Sequence, residues 1–318
     1  MRPVKLSLTG FVLAGFVLSA GAADSQVRAT KAVLGNWGVD LSGMDRTVAP
    51  GDDFFRYVNG GWFSQAVIPS DRTATGSFVD LDIQSEDRLR GILNSLEARK
   101  DSLTGDEKKI RDLYHSYLDT DRIEQLGLAP AQKDIAVIAA LKTHEDVARI
   151  MASPGFGVQS LFSARVGVDD KNPNAYAVFL RQSGLGLPDR DYYLRDEKGI
   201  VAAREAYRPY IAQMLRLGGI AGEQAKAEGI FKLETEIAKL HWTRVERRDA
   251  DKTYNPMAVS ELAGFAPNFP WVSFLREGDI TTLAGRERRV IVSENTAFPK
   301  LAALFAQTPV EVWRDYVD

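Results

Sequence analysis

Residues 184–194 read GLGLPDRDYYL, and they separate two kinds of pattern in the chain. Two glycines, a proline and an Asp-Arg-Asp alternation suit a tight turn whose backbone is held by its own side chains. The segment is therefore read as structural rather than as a substrate contact. Just upstream, residues 161–168 and 175–180 are rich in β-branched and aromatic side chains, with Asp169-Asp170-Lys171-Asn172-Pro173 between them. That arrangement predicts a β-hairpin with a longer loop. Downstream, residues 198–217 and 222–247 predict long helices, the second carrying Ile230, Leu233, Ile237 and Leu240.

Further from this segment the patterning is mostly helical. Ser85 is expected to open a helix bearing Leu89, Ile92, Leu93 and Leu96 at i, i+3, i+4 and i+7. Thr104 and Glu107 have capping-box spacing for the next helix, in which Ile110, Leu113, Tyr114, Tyr117 and Leu118 form one apolar stripe. Residues 130–141 and 145–152 predict further helices, the latter capped by Thr143. Phe54, Phe55, Tyr57 and Trp62 cluster around Asn59-Gly60-Gly61, which is expected to end the segment in a turn. Toward the C-terminus, Pro256, Pro267 and Pro270 punctuate a short helix and a loop around Trp271. Residues 289–293 suit a short strand, and helices resume near Pro299. The fold class is mainly α with a small β-hairpin or sheet.

Composition limits what such a chain can do. It has 318 residues, 45% of them hydrophobic, which is enough for a substantial core in one large or two smaller domains. There is no cysteine, so a thiol nucleophile, a Cys-ligated zinc and a disulfide framework are excluded. The net charge is -3 with no basic run, and no nucleic-acid partner is expected. Arg2 and Lys5 precede an apolar run over residues 6–18, and Ala20-Gly21-Ala22 supplies small residues for cleavage. Residues 1–22 therefore read as a signal peptide, an uncleaved membrane anchor being the alternative. Residues 23–47 form an extended lead-in, and residues 48–318 the folded domain. No later segment is apolar enough to span a membrane. Export without cysteine fits a bacterial periplasm.

No catalytic constellation emerges from the residues alone. His144-Glu145 begins like a zinc-helix H-E-x-x-H, which needs a second histidine at position 148 so that two ligands share one helix face; that position is Ala148. His144 and His115 read as exposed helix positions. His241, near Glu234, Trp242, Arg244 and Arg247, suits a cation–π or ion-pair role at a helix end. Asp169-Asp170, beside Lys171 and Asn172, reads as a solvated turn, calcium binding being the alternative, and the alternating charges of Glu246-Arg247-Arg248-Asp249 as an exposed helix end. There is no G-x-S-x-G elbow, and Gly155-Phe156-Gly157 lacks the third glycine of a dinucleotide loop.

Three ordered segments resemble one family. PGDDFFRYVNGGW at residues 50–62, running on to Ile68-Pro69, resembles the opening of neprilysin and the endothelin-converting enzymes. GLGLPDRDYYL at residues 184–194 resembles a hallmark of the same family, with Val168-Asp169-Asp170-Lys171-Asn172 ahead of it. Leu233-Glu234-Thr235-Glu236-Ile237-Ala238, then Glu246-Arg247-Arg248-Asp249 and Tyr254-Asn255-Pro256-Met257, make the third match. Order and spacing agree over about residues 38–318.

The resemblance implies one helical lobe of a two-lobed zinc endopeptidase that encloses a chamber and cleaves oligopeptides. Zinc, its two histidines, a downstream glutamate and the water-activating glutamate would all belong to a C-terminal catalytic region. This chain is then the non-catalytic N-terminal region, truncated at its C-terminus, inactive alone and partnered by its missing catalytic half. Catalytic and metal-binding residues are none in this chain. Phe78 matches an aromatic that lines the S1′ pocket, the alternative being ordinary core packing. Ala74 stands where neprilysin has an arginine that binds a substrate's terminal carboxylate, and Arg72 does not occupy that position. The competing reading is an exported, catalytically inactive binding or scaffold protein derived from the family.

Overall fold

Asp53 starts the first helix: its carboxylate accepts the Arg56 backbone N–H at 2.9 Å, satisfying one of the donors a helix start leaves open. The computed structural model describes residues 41–99, 101–283 and 286–318, and the side chains of residues 282–287 are outside that description. The expected signal peptide and most of the lead-in lie outside the described residues. The chain divides into two compact units, one ending at Leu118 and the other spanning Asp119–Asp318.

The first unit contains α1 (Phe54–Phe63), α2 (Ser77–Ala98) and α3 (Gly105–Leu118). Gly60 and Gly61 lie inside α1 rather than in a turn. A Cβ on Gly60 would sit 2.6 Å from the Asp45 Cβ, and one on Gly61 3.0 Å from the Met44 carbonyl, so this pair admits the close approach of residues 43–45. Helix α2 starts at Ser77 instead of Ser85, after Gly76 at φ 140°. Phe78, Val79, Leu81 and Ile83 alternate with Asp80 and Asp82, and that alternation hid the helical period. The capping box of α3 forms as expected, with Thr104 N–H on Glu107 at 2.9 Å and Glu107 N–H on Thr104 Oγ1 at 3.4 Å. Among the described residues of α1, α2 and α3, only Leu96 is buried.

The second unit begins with α4 (Thr120–Leu126), α5 (Gln132–Ala139) and α6 (His144–Ala152). Thr143 caps α6 with a capping box to Asp146. Strands β1 (Phe162–Asp169) and β2 (Asn172–Gln182) form the hairpin. Its turn is tighter than expected. Asp169 pairs with Asn172, because the Asp169 carboxylate accepts the Lys171 N–H at 2.9 Å and folds the chain within two residues. There follow α7 (Asp191–Leu194), α8 (Lys198–Leu217), α9 (Glu223–Leu240), β3 (Asn255–Ala258), α10 (Leu262–Phe265) and α11 (Trp271–Glu277). The unit closes with β4 (Thr282–Leu283), β5 (Arg286–Glu287), β6 (Arg289–Val292), α12 (Phe298–Gln307) and α13 (Val310–Val317).

The main sheet has the order β1-β2-β6-β3, with β2 and β6 parallel and the other neighbours antiparallel. Behind it lies an aromatic cluster. Phe162 is 4.6 Å from Phe298, Phe269 is 4.6 Å from Trp271 and 4.7 Å from Phe305, and Phe305 is 5.0 Å from Trp313, between ring centroids. Both buried indoles are satisfied: Trp271 Nε1 donates to Ala266 O at 2.7 Å and Trp313 Nε1 to Phe305 O at 3.0 Å. Helix α9 ends at Leu240, not near Arg247. His241 turns extended at ψ 145°, and Thr243 and Glu246 then cap a separate short turn over Glu246–Arg248.

Candidate functional site

The segment after β2 passes between α8, α9 and α13, and its glycines are required by that route. Gly184 adopts φ 100°, its carbonyl accepts the Tyr316 hydroxyl at 2.8 Å, and a Cβ there would meet the same hydroxyl. A Cβ on Gly186 would lie 1.8 Å from the Tyr207 hydroxyl. Instead, Gly186 N–H and Tyr207 OH both donate to Glu234 Oε1, each at 3.1 Å, and Tyr193 OH donates to Glu234 Oε2 at 2.8 Å. Leu187 N–H donates to the Tyr193 hydroxyl at 2.9 Å.

Glu234 is thus a buried acceptor that gathers the loop, α7 and α8 onto α9. Burial raises its pKa, while the three donors work against that rise. The same burial, together with the Glu234 charge, pushes the Tyr193 and Tyr207 hydroxyls upward, so both remain donors.

A second group of polar contacts adjoins the first. Asp189 accepts the Asp191 N–H at 2.8 Å and pairs with Arg244, while Arg190 Nε donates to Ala238 O at 3.2 Å near the end of α9. Gln182 and Trp242 exchange hydrogen bonds: Gln182 Nε2 donates to Trp242 O at 3.2 Å, and Trp242 N–H to Gln182 Oε1 at 2.8 Å. Glu294, buried at the end of β6, accepts Gln182 N–H and Arg247 Nε, each at 2.9 Å. Segments far apart in sequence therefore meet around a cavity of about 170 Å³, lined by residues 182–185, 188–190, His241, Trp242, Arg244 and Arg247.

His241 borders this cavity in a state the sequence did not suggest. It is 9% exposed and, among the described residues, has no carboxylate or cation–π partner, so neither role describes it there. Burial lowers its pKa to about 4, the neighbouring Arg247 and Arg190 charges add to the fall, and a Ser183 backbone hydrogen bond opposes it. The other two histidines are elsewhere. His144 is half-buried rather than exposed, with Nε2 2.8 Å from Thr308 O and its ring edge-on to Phe305. His115 is exposed and bonded to Glu97. Among the described residues no group of three or more His, Asp or Glu could hold a metal ion, so the residues here do not fit a zinc site.

Phe78 lies on the second residue of α2 and is 85% exposed, so in this chain core packing does not explain it. Arg72 pairs with Glu86 and Asp71. The sequence reading overlooked Glu234, Glu294 and Tyr316 as organising groups. A signal for Glu234 was present: it falls among Ile230, Leu233 and Ile237 on the buried face of α9, where a carboxylate must find donors. Glu294 carried no comparable signal.

This helical body around a small mixed sheet is the architecture of a peptidase domain seen before. The structure of Mycobacterium tuberculosis zinc metalloprotease Zmp1 with an inhibitor superposes with a TM-score of 0.77 and 32% identity, over 88% of this chain and 43% of that one. PepO from Lactobacillus rhamnosis, 20% identical with a TM-score of 0.65, shares the fold. A model of peptidase family M13 matches residues 50–317, and the chain belongs to that family, as its N-terminal region. Curated relatives include rat endothelin-converting enzyme-like 1, 27% identical over 86% of this chain, and human endothelin-converting enzyme 1, 30% identical over 74%. The chain spans 37% and 31% of those two proteins, well under half of each.

Proposed function

We propose that this chain is the non-catalytic region of a zinc metalloendopeptidase that hydrolyses oligopeptides. It walls the substrate chamber, while a separate catalytic region supplies the zinc ligands and the water-activating glutamate. The observation that carries this reading is the apolar surface of the first unit. Phe78, Leu81, Leu89 and Ile92 on α2, and Ile110, Leu113 and Tyr117 on α3, are all exposed at helical spacing. An amphipathic stripe of this kind asks for a cover, and a catalytic lobe is the cover this family reading supplies. Phe78 is assigned to the S1′ wall, and with Ala74 in place of an arginine a free substrate C-terminus is not favoured. The apolar run and small-residue cleavage site of residues 1–22 support export, to a bacterial periplasm.

The test is reconstitution. The chain, alone and with an M13 catalytic region carrying H-E-x-x-H, is assayed on fluorogenic oligopeptides with and without added zinc. Hydrolysis is expected only from the pair. A stable pair that cleaves no peptide would point to the inactive binding or scaffold protein instead.

A further inference from the structure

We propose that the outer edge of β1 pairs with β1 of a second copy of this chain, antiparallel about Gly167, so that two four-stranded sheets join into one. The inference is independent of the peptidase reading, and the contact is made of strand backbone rather than of the apolar stripe of the first unit.

Strand β1 stands at the end of the order β1-β2-β6-β3, so among the described residues one of its two edges pairs with no strand. Which groups point outward follows from the ladder. Ser183 N–H donates to Leu161 O at 2.9 Å, so position 161 faces β2, and alternation turns Ser163, Arg165 and Gly167 the same way. The opposite strand agrees: Leu180, across from Ala164, gives its carbonyl to Ser293 N–H on the far side. Ala164, Val166 and Val168 therefore direct their N–H and C=O groups outward, and all three residues are exposed. Edge strands are commonly blunted by proline, lysine or a bulge. β1 has neither proline nor lysine, and the register shift at its end, from Val168 opposite Tyr176 to Asp169 opposite Asn172, places the extra residues on β2.

Self-complementarity sets the occupant. With a two-fold axis at Gly167, Val166 lies opposite Val168 of the partner subunit and the two exchange both of their outward hydrogen bonds, a pairing that the axis repeats. Gly167 faces Gly167 of the partner subunit in a non-hydrogen-bonded pair, where opposing side chains come closest and neither residue has one. Val166, Val168 and Tyr176 share one face and are exposed, so the two copies extend a single apolar patch. On the other face Arg165 meets Asp169 of the partner subunit, again twice. Arg165 lies over the Phe179 ring, 5.3 Å from its centroid, and has no carboxylate partner among the described residues. The Asp169 carboxylate accepts Lys171 N–H and the Tyr254 hydroxyl, both through Oδ1, which holds it at the end of β1 and leaves lone pairs for a guanidinium. A two-fold at Arg165 would oppose like charges, and one at Val166 would leave Arg165 facing a glycine.

The experiment is sedimentation velocity of the whole chain over about a hundredfold range of concentration, because so small a contact calls for a micromolar or weaker constant. A reversible monomer–dimer equilibrium is expected. Val166→Pro removes an outward N–H and spares every β1–β2 bond, so it should raise the dissociation constant at least about tenfold with the thermal midpoint kept. Arg165→Glu, which opposes two carboxylates, should weaken association by a similar factor. In the wild type, amide exchange at Val166 and Val168 should slow as concentration rises, while exchange at Arg165, which faces β2, should not. A chain that stays monomeric throughout overturns the proposal. So does a Val166→Pro chain that associates as wild type, which would place the contact on another surface such as the stripe of the first unit. Should Val166→Pro fail to fold, the wild-type exchange rates decide: Val166 and Val168 amides indifferent to concentration would overturn the pairing.

Discussion

The two units of this chain use their aromatic and aliphatic residues in opposite ways. In Asp119–Asp318 they converge: Phe162, Trp271, Phe274, Phe298, Phe305 and Trp313 are all but inaccessible to solvent, and Phe269 links Phe162 to Phe305 so that the rings form a continuous cluster. In α1, α2 and α3 residues of the same types face outward, and Leu96 alone is buried. The second unit contains a sheet and helices that bury one another, whereas helices with wide apolar stripes have to find a surface outside themselves. Stability should therefore reside in the second unit, and binding in the first.

The sharpest way to break that contrast is Trp313→Ala. Removing a fully buried indole that also donates to Phe305 O leaves a cavity in a packed interior, with an expected loss of about 3–5 kcal/mol. Thermal and denaturant unfolding would measure it, and a loss below about 1 kcal/mol would mean the cluster is not the stabilising core.

A smaller effect comes from pH. The His241 pKa is lowered from an ordinary 6.5 to about 4, so the neutral ring stabilises the fold above pH 6.5 and that contribution drains away as pH falls from 6.5 to 4. At about 1.4 kcal/mol per pKa unit this amounts to roughly 3.5 kcal/mol at most. Glu234 acts in the other direction: its raised pKa means stability is gained as pH falls through its folded value toward an ordinary 4.5. Unfolding curves at pH 7, 5.5 and 4 should show a steeper loss in wild type than in His241→Gln. Parallel pH profiles would show that His241 does not titrate as described.

Glu234→Gln comes next. The amide keeps the shape but turns one acceptor into a donor facing the Tyr193 or the Gly186–Tyr207 side of the clamp, with an expected loss of about 1–3 kcal/mol. Glu234→Asp, too short to reach all three donors, should lose a similar amount. Near-neutral behaviour in both would remove the clamp from the account of why residues 184–194 fold as they do.

How much of this could be read in the sequence follows the same divide. Helices with a regular stripe and a cap, such as α3 behind Thr104 and α6 behind Thr143, were legible because their signals are local. The start of α2 was obscured by alternating acids, and the end of α9 by polar residues equally at home in a helix or a turn. The tight turn of 184–194 was legible from its glycines and proline, but its partners were not. Glu234 and Tyr316 reach it from 48 and 132 residues beyond Gly186 and Gly184, Glu294 holds the adjoining Gln182 from 112 residues beyond, and no window of sequence reports contacts at such range. The exposure of Phe78, too, follows from what surrounds α2 rather than from α2 itself.

Phe78→Ser should have the smallest effect on the chain alone and the most telling effect outside it. The side chain is 85% exposed, so its removal should change unfolding free energy by no more than about 0.5 kcal/mol. Leu113→Ser on α3, also exposed, should behave likewise, apart from a small change in helix propensity. In the reconstituted pair the two should separate. A residue lining S1′ alters hydrolysis of peptides with large apolar P1′ groups more than that of small ones, whereas a residue at a lobe interface weakens assembly and lowers hydrolysis of every peptide alike. If Phe78→Ser destabilises the lone chain as a core variant would, the outward-facing stripe belongs to the fold itself. The contrast between a stabilising unit and a binding unit would then have to be redrawn.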